Sequence, residues 1–126
     1  FMGANCAHNW SMYWEGASVR SYTPERLAAI NAATVTYNGK EIGRYKATQM
    51  QRAQERQIRA EKRAFLVAKE SGQKDTEKAA AAKLAASRDK LKDFLQQTGL
   101  KQYQLRESVP GFGRSEASSA AAQARK

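Results

Sequence analysis

The sequence predicts a mainly α protein: an antiparallel hairpin of two long helices, with a small β-hairpin and an irregular, aromatic-rich N-terminal segment. Three observations carry this. The β-prone runs Thr34 to Tyr37 and Lys40 to Arg44 flank Asn38-Gly39, two residues that tolerate the positive φ of a two-residue type I′ turn. From Tyr45 or Thr48 the apolar residues change to a period near 3.6, which argues a long helix. Ser71-Gly72 stops that helix, and a second helical pattern follows so closely that the two must fold back on each other.

The elements follow in order. Phe1 to Tyr22 holds Trp10, Tyr13, Trp14 and Tyr22 without a clear period and reads as a packed, irregular segment. Thr23-Pro24-Glu25 supplies an N-cap, a proline at the first helical position and a first-turn acid. Leu27 and Ile30 give the short helix that follows one apolar face, ending near Ala33. Thr48 and Gln51 have capping-box spacing at the start of the long helix. Projected at 100° per residue, that helix gathers Ala47, Met50, Ile58, Phe65 and Ala68 on one side, with Gln54 and Glu61 among them. Arg52, Arg56, Arg59 and Arg63 fall on the opposite side. Leu66 and Val67 lie off the stripe and need cover from elsewhere. Asp75-Thr76-Glu77 opens the second helix, which groups Ala80, Ala81, Leu84, Leu91, Phe94 and Leu95, with Arg88 among them, and stops at Gly99. Leu100, Tyr103, Leu105, Val109 and Phe112 are short anchors among turn signals.

Four segments result: 1–44 (irregular segment, short helix and β-hairpin), 45–98 (basic helical hairpin), 99–114 (anchored extension) and 115–126 (a low-complexity Ser/Ala stretch expected as a flexible tail). Asn38 and Gly39 are the candidate turn residues, and Ile58, Phe65, Leu84, Leu91 and Phe94 the candidate core. Much of the apolar content is alanine, so a thin helical assembly that completes itself on a partner is expected.

The formal net charge of +10 is uneven. Arg44 to Arg106 holds 16 basic and 7 acidic residues, a surplus of nine, so the helical middle is where a polyanion or an acidic protein surface would dock. One cysteine excludes an internal disulfide and fits an intracellular or assembled-particle setting. No run approaches a membrane span. The chain opens on Phe1, so residues upstream of it are expected.

Catalytic chemistry finds no footing. Cys6 and His8 form a C-x-H pair, but no other Cys or His exists to complete a zinc site, and no group is evident to orient a Cys–His nucleophile. They read as packed structural residues. No cofactor, no metal and no enzyme activity are expected. The Arg52/Arg56/Arg59/Arg63 row suits phosphates or the carboxylates of a protein. No aromatic interleaves with it, which disfavours base stacking.

Several motifs together resemble a known family. Asn5-Cys6-Ala7-His8, the aromatic patch ending in Glu15-Gly16, V-T-Y-N-G-K-E-I-G-R-Y-K-A-T-Q, and Arg52, Glu55, Ile58 and Arg59 in Q-R-x-x-E-R-x-I-R resemble tailed-bacteriophage minor capsid protein 2. So do Asp93-Phe94, Gly99-Leu100, Arg106 and V-P-G-F-G, which extend the likeness over residues 3 to 114. Members carry a larger region ahead of the N-C-x-H element, so the chain resembles the C-terminal part of such a protein. The resemblance implies a non-enzymatic virion protein at the portal vertex or inner capsid, present in the host cytoplasm during assembly. The implied partners are portal or capsid proteins in a multi-subunit particle, and packaged DNA. The alternative is a basic nucleic-acid-binding module built on the arginine row.

Overall fold

The computed structural model describes residues 12–19 and 22–125, which divide into two units at residues 30/31. In the first unit, Trp14 anchors a tight turn, its carbonyl accepting from Ser18 N–H (2.8 Å) and its N–H donating to Ser18 Oγ (2.9 Å). Helix α1, Pro24–Ala32, whose last two residues belong to the second unit, starts as its sequence dictates: Thr23 Oγ1 accepts from Arg26 N–H, and Glu25 sits in the first turn.

In the second unit, β1 (Thr34–Tyr37) pairs antiparallel with β2 (Lys40–Gly43), with Tyr37 opposite Lys40. Two residues are left for the turn. Asn38 (φ 51°) and Gly39 (φ 72°) both take positive φ, the geometry that matches the right-handed twist of the strands. The hairpin docks on the second long helix. The Tyr37 ring meets Phe94 edge-on at 4.9 Å, and Asn38 N–H donates to Gln97 Oε1 at 2.9 Å.

Helix α2 (Arg44–Glu70) follows β2 without a linker. Thr48 therefore lies inside the helix and does not cap it; its hydroxyl donates back to Tyr45 C=O. Gly72 (φ 69°) turns the chain into α3, Lys74–Thr98, whose C-cap is Gly99 in the left-handed region. Asp75 lies in the first turn, and the N-cap is Gln73. The two helices run antiparallel, with Ala68 near Thr76 and Gln54 near Ser87. Ile58, Phe65, Ala81, Leu84 and Leu91 form the buried seam, and Phe94 continues it under the hairpin.

The buried stripe of α2 differs from the projected one. It runs through Ala47, Gln51, Glu55, Ile58, Lys62, Phe65 and Ala68, so Gln51, Glu55 and Lys62 replace Met50, Gln54 and Glu61. The cause is the extension after Gly99. It lies along this side of α2, where Gln51 and Lys62 donate to its carbonyls and Glu55 accepts from Gln51. Val109 is buried, Phe112 packs edge-on against Phe65 at 6.0 Å, and Leu66 faces Gly111. Val67 stays exposed. Leu105, expected as an anchor, is 91% exposed.

The Ser/Ala stretch is not a flexible tail. It forms α4, Arg114–Ala124, packed on α3 through buried Ala120. Alanine has the strongest helix propensity, and Glu116 Oε2 accepts Gly113 N–H (3.1 Å) at the helix start.

Candidate arginine cleft

The arginine row stands on α2, the longest helix among the described residues. Arg52, Arg56 and Arg63 are exposed on α2, and Arg59 is half-buried. The four do not act as one row. Arg52, Arg56 and Arg59 line an open cleft of about 270 Å³ together with Glu55 and Arg106, and Arg63 lies outside it. Arg106 is delivered by a 3₁₀ turn, Gln104–Glu107. Its guanidinium rests on the Tyr103 ring, 4.0 Å from the centroid.

Polar residues of α2 hold this arrangement by gripping main-chain carbonyls of the extension. Gln51 Nε2 donates to Lys101 C=O (2.9 Å), Arg59 Nη1 to Arg106 C=O, and Lys62 Nζ to Glu107 C=O (2.6 Å). Gln51 Nε2 also donates to Glu55 Oε1 (3.0 Å), so the buried Glu55 carboxylate is turned into the structure. Among the described residues the ion pair is Lys69–Glu116 at 3.6 Å, and no cleft arginine has a carboxylate within reach. The cleft thus carries four guanidinium groups against the single Glu55 carboxylate, which accepts from Gln51.

A larger cleft of about 700 Å³ lies between α3 and the extension, lined by Lys62, Arg88, Lys92, Leu95, Leu100 and Glu107 among others. The Lys62 ammonium and the Arg88 guanidinium stand 5.4 and 5.7 Å from the Phe112 ring centroid. Burial, then repulsion from Arg88, lowers the Lys62 pKa, and Glu107 opposes the shift.

Cys6 and His8 lie outside the described residues, as does Trp10. Among the described residues no group of three His, Cys, Asp or Glu could hold a metal, and no helix is long and apolar enough to cross a membrane. Ile58, Phe65, Leu84, Leu91 and Phe94 are all buried. Sequence reasoning passed over Arg106 and Tyr103 as parts of this site. They lie some fifty residues from Arg52 in a segment without periodicity, and only their place among the family-like residues marked Arg106 out.

A sequence profile of phage minor capsid protein 2 matches residues 1–96. The chain belongs to this family. The minor capsid protein thus has a structural role in the virion as part of a multi-subunit phage particle, and membership implies a non-enzymatic protein. The match covers the β-hairpin, α2 and most of α3, with Arg52, Arg56 and Arg59; Arg106 and α4 lie beyond it. No curated protein and no solved structure matches the chain significantly.

Proposed function

We propose that this minor capsid protein docks at the portal vertex or the inner capsid surface through the arginine-bearing side of α2 and acts there in head assembly, DNA packaging or delivery. The observation that carries the reading is the set of guanidinium groups from Arg52 to Arg63, spread over roughly 16 Å of one helix without carboxylate partners. Arginines along one helix without carboxylate partners suit contact with an anionic surface. Docking takes place in the host cytoplasm as the head forms. Cryo-EM of purified heads, with mass spectrometry of assembly intermediates, tests this. Density for the helical hairpin against portal or shell is expected; absence of the chain from particles and intermediates alike overturns it.

The second reading is a basic nucleic-acid-binding module on the same side of α2. It is favoured by the lining of the cleft, in which every residue is charged.

A further inference from the structure

The cleft itself discriminates between kinds of anion. Its lining residues are Arg52, Glu55, Arg56, Arg59 and Arg106, with no apolar side chain among them. Protein interfaces gather their affinity at an apolar core ringed by polar groups; this cleft has the ring without the core. A phosphodiester needs no such core. It needs forked donors at fixed positions, which guanidinium groups supply two hydrogen bonds at a time.

One donor is also pre-set. Arg106 is stacked on Tyr103, and its own carbonyl is held by Arg59, so little side-chain freedom remains to be lost on binding. The one carboxylate nearby, Glu55, is buried and bonded to Gln51. No aromatic residue lines the cleft, and the Tyr103 ring already carries Arg106, which leaves the site unsuited to stacking unpaired bases.

We propose that this cleft seats successive backbone phosphates of double-stranded DNA. Arg52, Arg56 and Arg106 are the phosphate ligands. Arg59 is a positioning residue that ties the Arg106 turn to α2, and Arg63 is not part of the site. The inference rests on the nucleic-acid reading above and narrows it, replacing a uniform arginine row with a two-element site.

Fluorescence anisotropy of the full chain with a short labelled duplex tests this over about 50 to 200 mM salt. Arg52→Ala, Arg56→Ala and Arg106→Ala are each expected to weaken binding severalfold and to flatten the slope of log K against log salt by about 0.9. Arg63→Ala is expected to change neither. Circular dichroism melting checks that each variant is folded, and Arg106→Lys, which keeps the charge without the fork, is expected to fall between wild type and Arg106→Ala. Equal losses for Arg63→Ala and Arg106→Ala would mean a diffuse positive field and overturn the site. An unchanged Arg106→Ala, or binding indifferent to salt, does the same.

Incorporation of the Arg52→Ala/Arg106→Ala variant into heads, read by mass spectrometry, separates this from docking. Normal incorporation with weakened DNA binding supports the phosphate site and assigns docking to another surface. Lost incorporation with intact DNA binding means that the cleft meets carboxylates of a protein, and the proposal fails.

Discussion

Phe94 does two jobs with one ring. It closes the end of the α2–α3 seam, fully buried, and it receives the edge of Tyr37 from the β-hairpin. Phe94→Ala is therefore expected to cost about 3–5 kcal/mol in chemical denaturation. A double-mutant cycle with Tyr37→Leu is expected to return a coupling of about 0.5–1.5 kcal/mol for the ring pair. Lys62 shows the opposite case, a charge kept inside by a carbonyl and an aromatic face. Its pKa is lowered from 10.5, chiefly by burial. Between the lowered value and 10.5 the unfolded chain retains a proton that the folded chain has shed, so this group makes stability rise with pH. Lys62→Met is expected to flatten that alkaline rise in pH-dependent melting. Phe94 was legible in the sequence, because a phenylalanine on a helical stripe has few places to go. Lys62 was not: its partner is a backbone carbonyl 45 residues away, and such a partner leaves no pattern.

The elements whose signals are local were readable, and those fixed by distant packing were not. Asn38-Gly39 between two β-prone runs specifies its turn almost alone. Gly39→Ala meets no neighbouring atom, so its expected cost is conformational only, about 1 kcal/mol. The α2 and α3 helices were visible through their period. Helix α4 was hidden, because a Ser/Ala sequence serves equally as a flexible tail or as a helix until something packs on it. Alanines of α4 sit beside Ala81 and Leu84 of α3. A chain ending at Gly113 is expected to expose that surface and melt at least roughly 4 °C lower. The start of α4 is also pH-sensitive. Hydrogen bonds from its own N–H and that of Gly113 hold the Glu116 carboxyl below its usual range. The stability Glu116 contributes is thus present above the ordinary carboxylate pKa and is lost as pH falls through the lowered value. Glu116→Gln is expected to remove that acid-side loss.

At the scale of the whole molecule, thin packing and surplus charge belong together. Among the described residues, four of the ten buried hydrophobic ones are alanines, so the core adds little volume per residue, and the basic middle repels itself. Both suit a component that gains stability from its surroundings in a particle. Duplex DNA at low salt is expected to raise the melting temperature of the chain, and the gain should vanish in high salt, where counterions compete for the arginines.

The three carbonyls gripped by Gln51, Arg59 and Lys62 have one more consequence. A carbonyl is the same in every residue, so the grip reads the length of the extension and not its letters. The grip itself uses no side chain of residues 101, 106 or 107, and it places no demand on Leu105, which is exposed. A single residue inserted between 102 and 105 would move two of the three carbonyls out of register and carry Arg106 away from the cleft. Across divergent versions of this chain, spelling should drift at exposed positions such as 101 and 105, while Arg106 and the spacing stay constant.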